Sequence, residues 1–194
     1  FDIPKFYHVP MILNPEGKKL SKRDGAVDVM EYKREGYLPE ALLNFLIRLG
    51  WSHGDQEIFS FDEMKALFDP NDINKSASAY NQEKLLWLNA HYIKQATHDR
   101  LIEELRFFNV DISSHAKKEL LIDALRDRAK TLVEFASLAK QILEAPICYD
   151  EKAVEKFLTA DGLGVLEHYF EALKNVNSLS NASDFETFTK TFLE

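Results

Sequence analysis

The chain has 194 residues, of which 45 % are hydrophobic and 12 % aromatic, enough for one substantial core or two modest ones. Seven glycines and six prolines exclude collagen-like and low-complexity classes, and the net charge of −8 excludes a broad basic face for DNA. The single cysteine, Cys148, rules out an internal disulfide and favours a cytoplasmic protein, and no apolar run is long enough to predict a membrane partner.

Positive charge is concentrated near the start of the chain. Residues 1–50 hold 8 Lys/Arg against 7 Asp/Glu, whereas the remainder holds 16 against 25. The segment "NPEGKKLSKRDGA", residues 14–26, places four cations in one glycine-bounded loop: Lys18, Lys19, Lys22 and Arg23. Such a string is most often a solvated turn. The alternative is a site for a multiply charged anion, because lysines on a hinged loop can follow and neutralise phosphate charge.

One short strand is predicted. "FYHVPMIL", residues 6–13, carries β-branched and aromatic residues and stops at the turn-forming segment 14–17. No other segment predicts a strand as well. Since the chain opens on Phe1 without methionine and runs at once into this strand, we expect it to be part of a longer protein.

Two helices are predicted next. "VDVMEYKREG", residues 27–36, indicates a short helix stopped by its glycine. The segment 39–50 begins with a proline that suits the first helical turn, and Leu42, Leu46 and Leu49 form an apolar stripe along it.

The rest of the chain shows helical periodicity and no alternation at period two, which predicts a mainly α fold with a single strand. Three S/T-x-x-E capping boxes, beginning at Ser60, Thr131 and Ser183, predict helix starts. The predicted helices cover residues 61–68, 81–95, 100–108, 117–128, 132–145 and 184–194. The polar, aperiodic segment 69–81 predicts a boundary between a first part, 1–70, and a helical second part, 71–194.

Residues 8–60 and "KSASAYNQEKLLWLNAHYI", residues 75–93, resemble glutamyl-tRNA synthetases, which are class I aminoacyl-tRNA synthetases. Within them "KLSKR", residues 19–23, resembles the second class I signature loop. The resemblance is specific to about residue 95 and then thins into helices compatible with the family's anticodon-binding region. A match over so many unrelated positions favours the anion site over the solvated turn.

The resemblance implies an ATP-phosphate loop formed by Lys19, Leu20, Ser21, Lys22 and Arg23. Lys22 corresponds to the lysine that stabilises the transition state of glutamate activation, and Lys19 is the first lysine of the motif. Leu20 holds the hydrophobic position that packs the loop down. Asp24 stands where many bacterial members have histidine, a departure that weakens the field of the loop slightly.

For the parent protein the resemblance implies an ATP- and Mg²⁺-dependent ligase that joins glutamate to tRNA-Glu, monomeric and cytoplasmic. Residues 1–70 would close the catalytic fold and contact the inside of the tRNA bend, and residues 71–194 would read the anticodon. The family's other ATP signature, His-x-Gly-His, has no counterpart here, so we expect this chain alone to be inactive and to bind no cofactor. The sequence leaves open whether tRNA-Gln is also a partner.

Weaker signals indicate possible tRNA contacts. "LRDRAK" contains Arg126, Arg128 and Lys130, which could grip an RNA phosphate or base, or could complement the dipole at a helix C-terminus, worth about 0.3–1 kcal/mol each. The second interpretation is favoured. Lys75 and Ser76 could touch the tRNA backbone or only stabilise a turn, with even odds.

The aromatic and metal signals are weaker still. Trp87 sits among leucines at helical spacing, so a core position is favoured over a base-stacking one, while Trp51 fits neither pattern clearly. The six histidines lack metal-ligand spacing and Cys148 has no second cysteine, so we expect no metal site.

Three rival identities share some of these features. A glutaminyl-tRNA synthetase shares the catalytic fold but usually has a β-rich anticodon region. The stand-alone paralogue that glutamylates a modified base should lack the helical part. A non-catalytic helical module that binds tRNA or protein is the rival from another class, and an upstream His-x-Gly-His stretch would argue against it.

Overall fold

The computed structural model describes residues 3–21, 28–176 and 182–193. This part of the chain is mainly α-helical, as predicted, with two strands of two residues each. The strands are β1 (Ile12–Leu13) and β2 (Ser78–Ala79). The helices are α1 (Val29–Arg34), α2 (Pro39–Arg48), α3 (Phe61–Leu67), α4 (Gln82–Gln95), α5 (His98–Arg106), α6 (Lys118–Leu125), α7 (Leu132–Leu143), α8 (Glu151–Phe157), α9 (Ala160–Lys174) and α10 (Ala182–Leu193). None of these described helices is long and apolar enough to cross a membrane.

The two strands pair in parallel, with Ile12 opposite Ser78 and Leu13 opposite Ala79. The prediction of a strand over residues 6–13 is therefore wrong for all but its last two residues. The prediction of a single strand is also wrong, since β2 lies at Ser78–Ala79. Two residues are too few to produce a period-two pattern, and pairing with a partner more than 60 positions away fixes this strand.

The first compact unit extends to Glu144, and the second begins at Ala145. In the first unit, helices α2, α4, α5, α6 and α7 share one hydrophobic core, whose fully buried members include Leu38, Leu85, Leu101, Ile122 and Phe135. A smaller cluster of Trp51, Phe59 and Met64 lies beside α2 and α3. The predicted division at residues 70–71 stays a prediction, and the core of the first unit contains residues from both sides of it.

Helix α2 begins at Pro39 as predicted, and Leu42 and Leu49 are buried. Leu46, however, is 45 % exposed, so the predicted stripe is wrong at this position. The buried stripe is centred on Ala41 and Phe45 instead, and at 100° per residue position 46 falls at its margin. There it lines an open apolar groove of about 530 Å³.

One of the three predicted capping boxes forms with both of its hydrogen bonds, and a second forms with only one of them. Ser60 and Glu63 exchange both hydrogen bonds at the start of α3. Thr131 accepts the Glu134 N–H at 3.2 Å, although the Glu134 carboxylate accepts the N–H of the residue before the cap. Ser183 is the second residue of α10, so its predicted capping role is wrong.

The second unit contains α8, α9 and α10. The hydroxyl of Tyr169 on α9 lies 2.8 Å from that of Thr189 on α10, and its ring packs edge-on against Phe192 at 4.9 Å. Helices α8 and α9 are absent from the predictions, although Asp150 and Thr159 cap them with side-chain hydrogen bonds. Their third helical positions hold Ala and Gly rather than Glu, so neither start matches a capping box.

Candidate phosphate loop and nucleic-acid surface

A tight hairpin carries the first half of the basic loop. The side-chain oxygen of Asn14 accepts the Lys18 N–H at 2.9 Å, the Asn14 N–H donates to the Lys18 carbonyl at 2.7 Å, and the Gly17 N–H donates to the Asn14 carbonyl at 2.9 Å. Gly17 adopts φ +75°, a conformation that glycine allows without strain. Asn14 is 5 % exposed, so the turn is built around a buried amide. The side chains of Lys18 and Lys19 project into solvent as a result.

The hairpin is fixed to the small sheet. Lys19 forms an antiparallel bridge with Leu13, and the Leu20 N–H donates to the Ile12 carbonyl at 2.8 Å. Leu20 is half-buried, in keeping with its expected packing role, and Ser21 is exposed. The other two predicted loop residues, Lys22 and Arg23, lie outside the described residues. The arrangement presents exposed lysines on a backbone that is hydrogen-bonded to β1. The turn between Asn14 and Lys18 also carries one exposed carboxylate, that of Glu16.

The chain downstream of the loop is anchored by a buried amide that sequence reasoning missed. Asn89 on α4 is fully buried. Its side-chain oxygen accepts the Leu38 N–H at 2.8 Å, and its amide nitrogen donates to the carbonyls of Gly36 at 3.1 Å and Lys130 at 2.7 Å. The Leu132 N–H also donates to the Gly36 carbonyl at 2.9 Å. Three distant segments are thus joined at one side chain.

The "LRDRAK" residues separate into two kinds of environment. The Arg126 side chain is only 18 % exposed, and its guanidinium donates to the carbonyls of Lys94 at 3.0 Å and Ala96 at 3.4 Å and pairs with Asp123 at 3.0 Å. It therefore satisfies the C-terminal carbonyls of α4, a structural role. Arg128 and Lys130 are exposed and line one surface depression of about 550 Å³.

The other predicted tRNA contacts lie elsewhere. Lys75 and Ser76 are exposed and precede β2, whereas the Lys18–Lys19 hairpin follows β1. Because the strands are parallel, the two pairs of residues leave the small sheet at opposite ends. The structure thus places Arg128 and Lys130 in one depression, and Lys75 and Ser76 are not among the residues that line it.

The two tryptophans differ in environment. Trp51 is 1 % exposed and packs against Phe59, with ring centroids 5.4 Å apart. Trp87 is 46 % exposed, so the expectation that it belongs to the core is wrong. Among the described residues no group of three or more His, Cys, Asp and Glu side chains could hold a metal ion.

Two family models divide the chain between them. Residues 1–87 match the catalytic domain of class I tRNA synthetases (E and Q), and residues 86–194 match an anticodon-binding domain. The chain belongs to the family of class I tRNA synthetases (E and Q). The two matches overlap at residues 86–87, inside α4 and at the exposed Trp87.

Curated relatives agree with this assignment. The chain is 62 % identical over 192 residues to glutamate–tRNA ligase 2 of a Nitratiruptor species, covering 99 % of this chain and 41 % of that protein. It is 60 % identical over 194 residues to glutamate–tRNA ligase 1 of Aliarcobacter butzleri, again covering 41 % of the relative. The chain therefore spans about two-fifths of the length of the curated relatives it matches.

Solved structures show the same fold. A glutamate tRNA ligase from Elizabethkingia meningosepticum, crystallised in complex with its amino acid, superimposes with a TM-score of 0.77 at 30 % identity over 99 % of this chain and 42 % of that one. The glutamate-tRNA synthetase of Elizabethkingia anophelis gives a TM-score of 0.71 at 32 % identity, with the same two coverages.

Proposed function

We propose that this chain supplies the second ATP-phosphate loop and the tRNA-recognition half of a ligase that joins glutamate to tRNA-Glu in the cytoplasm. The parent reaction converts glutamate, ATP and tRNA into glutamyl-tRNA, AMP and pyrophosphate. The observation that carries this proposal is the tandem match of a catalytic domain and an anticodon-binding domain, whose boundary falls inside α4. It is supported by relatives that match nearly the whole chain and bear the name glutamate–tRNA ligase.

The loop's part in this chemistry follows from charge. Activation of a carboxylate by ATP places developing negative charge on the phosphates, and a protein accelerates such a step mainly by positioning and neutralising that charge. Lys22 would contact the phosphates, with Lys19, Leu20, Ser21 and Arg23 completing the loop. Mg²⁺ bound to ATP would neutralise further phosphate charge. The exposure of Lys19 and Ser21 and the anchoring of Leu20 beside Ile12 suit a loop that closes on a ligand.

The helical part would bind tRNA through a few local cations, since the chain as a whole is acidic. Arg128 and Lys130 are the best placed, being exposed in one depression, and Lys75 with Ser76 would form a separate backbone contact. Recognition of tRNA-Gln as a second partner would depend on single anticodon contacts. A glutaminyl enzyme is less well supported, because the described residues of the anticodon-domain match are helical.

The test compares two single lysine substitutions from the same loop in the full-length parent enzyme. Lys22→Ala should lower the rate of tRNA charging at saturating substrates by at least about 100-fold, because a transition-state contact is removed. Lys18→Ala removes a neighbouring cation outside the motif and should change this rate less than threefold. Equal effects of the two substitutions would contradict a specific role for Lys22.

A further inference from the structure

An aromatic and cationic surface lies on the first half of α4, away from the residues assigned above. Lys84, Trp87 and His91 follow one another at helical spacing on one face. The Lys84 ammonium lies 4.0 Å from the centroid of the Trp87 ring. The His91 ring is stacked with that of Trp87, its centroid 6.4 Å away and its plane inclined by 28°. We refer to these three residues as the Trp87 face.

The fold does not require this tryptophan to be large or aromatic. Helix α4 faces the core with Leu85, Leu88 and Asn89, all at most 1 % exposed, whereas Trp87 is 46 % exposed. An indole that is 46 % exposed contributes only part of its possible burial energy. Its exposed position beside a lysine and a second flat ring therefore points to a ligand rather than to packing.

The charges beside the Trp87 face favour an anion. Arg48 and Lys84 share one carboxylate, that of Glu57, and the Arg48 guanidinium lies 3.8 Å from it. Among these three side chains two are cations and one is a carboxylate, so the group carries one net positive charge within an acidic chain. Partial burial, and then the proximity of Arg48, lowers the pKa of the Lys84 ammonium below its usual range. A bound phosphate would relieve the repulsion between these cations.

We propose that the Trp87 face binds one unpaired nucleotide of an RNA, with the base against the exposed indole and the phosphate at Lys84 and Arg48. Proteins bind unpaired RNA by stacking bases on aromatic rings and placing cations along the backbone, whereas paired bases offer no free face. The proposal rests on the proposed function in that tRNA is the RNA concerned. It adds a contact at the junction of the two matched domains, separate from Arg128 and Lys130.

The test exploits the presence of only two tryptophans, of which Trp51 is buried. The full chain is titrated with total bacterial tRNA, a ten-nucleotide single-stranded RNA, and an abasic ribose–phosphate chain of the same length. The tRNA and the RNA should quench tryptophan fluorescence, and the abasic chain should not. Trp87→Phe should abolish the quenching, and Trp87→Ala should raise the Kd for tRNA about tenfold.

Phe107 offers a matched control. It is 47 % exposed, and Lys33 lies 4.7 Å from its ring centroid, so it is also an exposed aromatic ring beneath a lysine. Phe107→Ala should leave the Kd for tRNA unchanged, and circular dichroism should show that all variants fold. Unchanged tRNA affinity of Trp87→Ala, or equal weakening by Phe107→Ala, would overturn the proposal alone. Absence of tRNA binding by the wild-type chain would also overturn the proposal, and the proposed function would fall with it if the full-length parent bound no tRNA either.

Discussion

The side-chain oxygen of Asn89 accepts a hydrogen bond from the backbone N–H of Leu38 across 51 positions of sequence, and both residues are fully buried. The same side chain donates to the carbonyls of Gly36 and Lys130. This amide therefore holds the start of α2, the glycine that follows α1 and the segment before α7 in one arrangement. A buried polar group with every partner satisfied specifies one arrangement of the segments around it.

Asn89→Ala should destabilise the chain by about 3 kcal/mol, since it leaves one buried N–H and two carbonyls without this partner. Urea unfolding followed by circular dichroism measures the change. Asn71→Ala is the control, because Asn71 is exposed and its side chain donates to Asp69, a near neighbour in sequence. A loss below about 1 kcal/mol for Asn89→Ala would show that the junction does not depend on this amide.

Gly36→Ala should be more damaging than its φ alone explains. Gly36 has φ +87°, and an added Cβ would lie 2.6 Å from the backbone nitrogen of Val133 and 2.7 Å from that of Leu132. Gly54 has φ +53° with open space around it, so Gly54→Ala measures the cost of the left-handed conformation by itself, about 1–2 kcal/mol. We expect Gly36→Ala to exceed Gly54→Ala by at least about 2 kcal/mol in urea unfolding. Equal losses of stability in the two variants would mean that the start of α7 can shift away from the added Cβ at no cost.

Stability should fall as the pH rises from 10 to 12. Burial raises the pKa of Tyr92 to about 12, from about 10 in the unfolded chain, so the folded state holds a proton that the unfolded state releases. The resulting stabilisation is complete below pH 10 and is lost through the folded pKa. Urea midpoints at pH 8 and pH 11 measure this loss, and Tyr92→Phe should reduce it. Tyr149→Phe, at an exposed position, should leave the loss as in the wild type.

Arg126 and Arg128 should respond oppositely in two assays. Arg126→Met should lower stability by about 2 kcal/mol, since it removes the donor to the Lys94 and Ala96 carbonyls, and should leave the salt dependence of tRNA binding unchanged. Arg128→Ala should leave stability within about 0.5 kcal/mol and lower the slope of log affinity against log salt by about 1. The reverse pattern would assign the RNA contact to Arg126.

Sequence patterns predicted features that are encoded within a few residues. The turn that brings Gly17 to φ +75°, the proline start of α2 and the Ser60 cap all depend on neighbours within four positions. Trp87 illustrates a signal that was present and misinterpreted. It lies two residues from Leu85, and two residues rotate a helix by about 200°, which places the indole opposite the buried face.

Other features depend on partners distant in sequence. The two residues of β2 become a strand only because β1 pairs with them. No pattern in the residues next to Asn89 predicts its role, since its three hydrogen-bond partners belong to segments around residues 36, 38 and 130. Arg126 looked like a surface cation because the carbonyls it satisfies, at the end of α4, lie some 30 positions earlier.

The measurement that tests the central claim most directly is binding of this chain to purified tRNA-Glu across a salt series, with tRNA-Gln and unrelated tRNAs as competitors. The proposed function predicts binding that unrelated tRNAs do not displace and that weakens linearly on a log–log plot, with a slope that counts the phosphate contacts. Equal displacement by unrelated tRNAs, from both this chain and the full-length parent, would contradict the claim that this half of the enzyme selects the tRNA.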